Sequence, residues 1–100
     1  MIDNFMGDLD GQQKEMQDKL TQFVITESLD GIIVEGNAAR RITNISISDD
    51  LMTAGDKDQI EDLLVTAVNR FLTQSGEIEG AEAQKMMQNM LPPGFGDLFK

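Results

Sequence analysis

The residues of this chain that could bind a ligand are its bases, because ammonium and guanidinium groups donate hydrogen bonds to phosphate oxygens. Arg40 and Arg41 are the only adjacent pair of bases, and we predict that they lie at an exposed hairpin tip. Lys14 and Lys19 are predicted to lie on a first helix, away from its apolar positions. The alternative is ordinary solubility charge, since no aromatic residues alternate with these bases to stack on nucleotides.

The composition gives little support for catalysis or for metal binding. The 100 residues include no His and no Cys, so the usual general acid–base near neutral pH and all thiolate ligands are absent. Asp56 and Asp58 resemble the start of a calcium loop, but Ile60 occupies the next ligand position. We therefore expect a protein that is not an enzyme and that has neither a metal site nor a cofactor.

The charge balance is strongly acidic, with 18 acids, 8 bases and a net charge of −10. Such a charge repels polyanions at long range, whereas nucleic-acid binders usually carry a basic surface. The chain has no apolar run of membrane-spanning length and no basic region at its start that would mark a secretory signal. A cytoplasmic location without a membrane partner is therefore expected.

A small α+β fold is predicted to position these residues. One stretch is a clear amphipathic helix, since apolar residues from Ile60 to Leu72 recur every three or four positions. Gly76 and Gly80 weaken the stretch that follows, and the next apolar stripe, from Ala83 to Leu91, does not continue the phase of the first, so a break or kink is predicted near Gly76–Gly80. We predict a single domain, 1–100, made of a helical arm (1–21), a three-stranded antiparallel sheet (22–48), the amphipathic helix (56–75), a C-terminal helix (81–91) and a loose tail (92–100).

The local sequence predicts a turn and a bulge in the sheet and a turn region after it. Asp30-Gly31 is typical of a tight turn between strands. Ile45 and Ile47 alternate, whereas Ile42 has the opposite parity, so a bulge near Thr43 and Asn44 would bring all three to one face. The segment from Ser48 to Gly55 is predicted to be a turn region.

One amphipathic helix cannot cover both faces of a three-stranded sheet that carries aliphatic residues on each face. Symmetric self-association is the commonest way to bury the remainder, so we predict a homodimer. The alternative is that the first helix covers the second face. The residues expected to form the core or the dimer interface are Phe23, Ile25, Val34, Ile45, Ile47, Leu64, Val68 and Phe71.

Three motifs follow one another in a characteristic order. The first is Ile42-x-x-Ile45-x-Ile47, the second is the helix from Ile60 to Asn69, and the third is Leu91-Pro-Pro-Gly-Phe95. In this order, behind a heptad-like first helix, they resemble the YbaB/EbfC family of bacterial nucleoid-associated proteins over nearly the whole chain.

The resemblance implies a cofactor-free homodimer in the cytoplasm that binds double-stranded DNA, with terminal helices that project as arms. The arms are the implied contact with DNA, which adds Lys85 to Lys14 and Lys19. The family's first helix is often rich in Lys, whereas residues 3–19 here carry five acids and two lysines. An acidic dimeric protein-interaction module that does not bind DNA is therefore the alternative function.

Overall fold

The computed structural model describes the backbone of residues 2–90 and the side chains of residues 11–89. The elements in chain order are α1 (Ile2–Leu20), β1 (Val24–Leu29), β2 (Ile32–Asn37), β3 (Arg41–Ile47), α2 (Asp49–Ala54) and α3 (Lys57–Met90). This arrangement confirms the predicted α+β fold. The predicted tail lies outside the described residues. None of the described helices is both long enough and apolar enough to cross a membrane.

The sheet is an antiparallel meander in the order β1-β2-β3. Asp30 and Gly31, with φ of 46° and 97°, make the two-residue turn between β1 and β2, which confirms the predicted tight turn. On β3, Ile42 pairs with Gly36 and Asn44 pairs with Glu35, so Thr43 is an extra residue. This is the predicted bulge, and it returns Ile42 to the face that carries Ile45 and Ile47.

The core lies between α3 and the face of the sheet formed by β1 and β2. Side chains alternate across a strand, and burial in β2 alternates with them. Ala67 and Phe71 of α3 are fully buried against this face. The buried apolar residues are Leu20, Ile25, Ile32, Val34, Ala38, Ala67 and Phe71.

The predicted break near Gly76 and Gly80 is wrong, because α3 is one continuous helix of 34 residues. The segment predicted as a separate C-terminal helix is therefore the last part of α3, up to Met90. Beyond Gly76, the helix remains partly buried at Ile78 and buried at Glu82. Contacts on this face outweigh the modest cost of two glycines in a helix.

The segment predicted as a turn region contains the short helix α2. Ser48 is its N-cap, and the Ser48 hydroxyl accepts a hydrogen bond from the Leu51 N–H at 3.1 Å. Asp49 and Asp50 occupy the first turn, where carboxylates suit the positive end of the helix dipole. An N-cap of this kind stabilises the start of a helix, and it was not visible as an apolar periodicity.

Candidate nucleic-acid interface

Arg40 is held toward α3 by its backbone and by its side chain. Its backbone has φ of 63°, and its N–H donates to Ser75 Oγ at 3.1 Å. Its guanidinium Nε lies 3.2 Å from a carboxylate oxygen of Glu79. The predicted hairpin tip is thus fastened to α3 through Arg40, and the charge of this arginine is paired.

Arg41 lies on the other face of the sheet. It begins β3, and its neighbour Ile42 is partly buried on the α3 side, so alternation directs Arg41 away from α3. Its side chain is exposed and forms no ion pair with the side chains of residues 11–89. The adjacent pair of bases therefore does not form one surface, and Arg41 is the member that is available to a ligand.

Lys19 and Lys85 converge on Glu82, which lies on the face of α3 turned toward α1. Lys19 Nζ is 2.7 Å from Glu82 Oε2, and Lys85 Nζ is 3.4 Å from Glu82 Oε1. Each carboxylate oxygen therefore has one ammonium partner. The Glu82 side chain is only 7% exposed, whereas the two lysine side chains are 57% and 67% exposed. We call these three residues the Glu82 clamp.

The two lysines of the Glu82 clamp change the pKa of Glu82. The hydrogen bond from Lys19, with a second one from Lys85, holds the pKa of Glu82 below its ordinary value, although burial acts in the opposite direction. The carboxylate is therefore charged at neutral pH. Because a buried charge is costly unless it is paired, Glu82 depends on its two lysines.

Lys14 is the remaining base that the sequence predicts as a DNA contact. It is exposed on α1, and it forms no ion pair within the part of the chain whose side chains are described. Sequence reasoning missed Glu79 and Glu82, the acids that hold the other candidate bases. Glu79 lies in the stretch where a helix break was predicted and Glu82 in the separate helix predicted after it, so the face they share on one continuous α3 was not predicted.

The predicted core and interface residues fall into three groups. Ile25, Val34 and Phe71 are buried. Phe23, Ile47, Leu64 and Val68 are partly buried and pack against the core. Ile45 is 43% exposed although it lies on the same face of the sheet as Val34.

Ile45 is exposed because α3 covers β1 and β2 and leaves the β3 side open. A shallow groove runs between β3 and α3, and its walls are almost entirely apolar. We call it the β3–α3 groove. Val65, which sequence reasoning did not select, is its most exposed apolar residue at 61%. The residues that line the groove are Ile45, Leu64, Val65, Val68 and Asn69.

Carboxylates are abundant, but within the described residues no group of three or more is arranged to hold a metal ion. A polar depression lined by residues such as Glu27, Arg70 and Gln74 is a wide, open surface feature. Gln74 donates a side-chain hydrogen bond to Glu27 across it, which links α3 to β1.

Comparisons with known proteins agree with this geometry. A family model described as the YbaB/EbfC DNA-binding family matches residues 1–90. A nucleoid-associated protein of Flavobacterium johnsoniae is 32% identical, over 90% of this chain and 93% of that protein. A nucleoid-associated protein of Moorella thermoacetica is 30% identical, over 84% and 83% respectively.

The fold is also found in a solved structure. The crystal structure of an uncharacterized protein from Helicobacter pylori has a TM-score of 0.70 and is 23% identical in sequence. The similarity covers 87% of this chain and 97% of that chain. At this level of identity the likeness establishes the fold alone.

Proposed function

The chain belongs to the YbaB/EbfC DNA-binding family, and from this premise we propose that it is a non-enzymatic, nucleoid-associated protein that binds double-stranded DNA as a homodimer. The observation that carries the proposal is the family match over residues 1–90, which includes every described helix and strand. The same premise assigns the protein to the nucleoid.

Arg41 and Lys14 are the DNA contacts that the geometry supports best. Both are exposed, and neither is paired with an acid among the described side chains. Arg40, Lys19 and Lys85 are secondary candidates, because each must leave a carboxylate to reach a phosphate. With so few bases, contact is made with the backbone and shape of the duplex rather than with base edges.

A binding experiment on a short duplex tests this proposal. The affinity of the wild-type chain is measured at about 50 and 200 mM salt. Each phosphate contact is expected to contribute a factor of about 3.5 to the loss of affinity between these two salt concentrations. Arg41→Gln is expected to weaken binding and to reduce the salt dependence. Lys57→Gln is the matched control, because Lys57 is exposed and lies at the first turn of α3. Absence of wild-type binding at low salt would refute DNA as the ligand.

The homodimer is proposed to form through the β3–α3 groove. Isolated exposed aliphatic residues are normal, but here Ile45 and Val65 adjoin across one continuous apolar surface. A second copy of this chain is the proposed occupant, because the family resemblance implies a homodimer built on the sheet and on the middle helix. A two-fold axis would place the same groove residues of both copies in contact.

The oligomeric state tests the interface. Val65→Asp places a charge in the groove and is expected to convert the dimer to a monomer in size-exclusion chromatography with light scattering. Val24→Asp is the control, since Val24 is 81% exposed on the opposite face of the sheet. Dimerisation that survives Val65→Asp, or that is lost equally in both variants, would refute this interface.

One observation favours the alternative, an acidic dimeric protein-interaction module. Three of the five candidate bases, Arg40, Lys19 and Lys85, are paired with glutamates of α3. Fewer bases are thus free to release counterions from DNA. The alternative predicts no salt-dependent DNA binding by the wild-type dimer, so the experiment above distinguishes the two functions.

A further inference from the structure

We propose that Glu82 weakens DNA binding by its own chain, because its carboxylate holds Lys19 and Lys85 away from phosphate. The inference rests on the proposed function, and it gives the Glu82 clamp a regulatory role within it. The two lysines then contribute little to DNA binding while Glu82 is ionised.

The geometry makes the retention strong. Glu82 is buried, and its two oxygens are each satisfied by one ammonium, at 2.7 Å and 3.4 Å. A lysine that moved to a phosphate would leave a buried carboxylate with a single partner. That loss opposes the gain from the new contact.

The charge of the cluster leads to the same conclusion. Two ammonium groups and one carboxylate carry a net charge of +1, so a phosphate that approaches the clamp meets one positive charge instead of two. Long-range attraction and counterion release are both reduced accordingly. A clamp at the base of α1 therefore limits how strongly this part of the arm can bind a polyanion.

The other ion pairs among the described side chains do not share this property. Lys57 and Glu61 are both well exposed and 3.8 Å apart, and such surface pairs contribute little and exchange readily. Arg40 and Glu79 are also partly exposed. Glu82 differs because it is the buried partner of two bases, which makes it a suitable single target for substitution.

Glu82→Gln tests the inference, because the amide keeps the shape and one acceptor but removes the charge. Glu77→Gln is the matched control, since Glu77 is exposed on the same helix and forms no ion pair with the described side chains. Both variants change the net charge equally. We expect Glu82→Gln alone to bind a short duplex more tightly at low salt. Each lysine that reaches a phosphate is expected to steepen the slope of log affinity against log salt by about 0.9.

A third variant shows whether the lysines cause the change. Adding Lys19→Gln and Lys85→Gln to Glu82→Gln is expected to abolish the gain in affinity and in salt slope. Circular dichroism establishes that each variant is folded. If Glu82→Gln proves unfolded, Lys85→Gln in the wild-type background replaces it. It is expected to change affinity no more than Lys57→Gln does, because Lys85 is already retained.

The outcomes separate this inference from the proposed function. Equal affinities of Glu82→Gln and Glu77→Gln, beside clear wild-type binding, would overturn the inference and leave DNA binding in place. A Lys85→Gln variant that loses as much affinity as Arg41→Gln would also overturn it. Absence of binding by both the wild type and Glu82→Gln would overturn both proposals. Binding by Glu82→Gln alone would support the inference about Glu82 but would refute DNA binding by the wild-type chain.

Discussion

The hydroxyl of Ser75 donates a hydrogen bond to the carbonyl oxygen of Ala38 at 2.9 Å, in a fully buried position between α3 and the loop that joins β2 to β3. The same hydroxyl accepts the N–H of Arg40 at 3.1 Å. One side chain of α3 therefore satisfies two backbone groups of a loop that has no strand partner. This contact fixes where the loop, and with it Arg40 and Arg41, lies relative to α3.

Ser75→Ala is expected to destabilise the chain by about 1–3 kcal/mol, because the Ala38 carbonyl loses a partner in a buried position and the Arg40 N–H loses one in a partly buried position. The free energy of unfolding in urea measures the loss. Thr73→Ala is the control, since the Thr73 hydroxyl is exposed and bonds only within its own helix. A Ser75→Ala variant as stable as Thr73→Ala would mean that other contacts hold the loop.

Gly36 lies in β2 where Phe71 approaches the sheet. A Cβ at this position would meet the Arg41 carbonyl and, at 2.5 Å, Phe71 Cζ. Because neither the strand backbone nor a fully buried ring can move easily, Gly36→Ala is expected to cost about 3 kcal/mol, the upper end for overpacking. Thermal unfolding reports the change.

Gly80→Ala is the matched control for that substitution. Gly80 is in α3 with no atom within 4 Å of the added methyl group, so alanine is expected to stabilise the helix by about 0.8–1 kcal/mol. Destabilisation of both variants to the same extent would contradict the packing argument at Gly36.

The course of α3 shows why the fold was only partly predictable. From Ile60 to Phe71 the buried positions are apolar, and the periodicity gives the helix correctly. After Phe71 the buried line continues through Ser75, Ile78 and Glu82. A pattern of hydrophobic residues cannot follow a face whose buried members are polar, and it therefore predicted a break where the helix continues.

The sequence predicted the bases of the candidate site but not the acids that pair with them. The bases could be read from the sequence, since any exposed lysine or arginine is a possible phosphate contact. Their partners could not, because Lys19 and Glu82 are brought together by the packing of α1 on α3. Whether a base is free or paired is a property of tertiary structure, and it decides which candidates remain.

Ser48 gives a test of the helix that the sequence did not predict. Its hydroxyl caps α2 through the Leu51 N–H, so Ser48→Ala is expected to lower stability by about 1 kcal/mol. Ser48→Asp retains an acceptor at the cap and is expected to restore most of the loss. Urea unfolding of both variants measures the effect, and equal stability of Ser48→Ala and the wild type would show that α2 does not depend on its cap.

Acid is expected to release the Glu82 clamp. Because the pKa of Glu82 is lowered in the folded chain, its contribution to stability is complete above the ordinary glutamate value of about 4.3 and is lost as the pH falls through the lower folded-state pKa. The free energy of unfolding of the wild type is therefore expected to fall more steeply below about pH 4.3 than that of Glu82→Gln, which has no such proton to bind.

Glu77→Gln provides the comparison for this acid range. Glu77 is exposed on the same helix, and its loss is expected to leave the steep wild-type decline unchanged. The carboxylates other than Glu77 and Glu82 are the same in all three proteins, so the difference between the Glu82→Gln curve and the other two isolates the clamp. If all three curves fell in parallel, Glu82 would not be stabilised by its lysines in solution, and the retention of Lys19 and Lys85 would lose its physical basis.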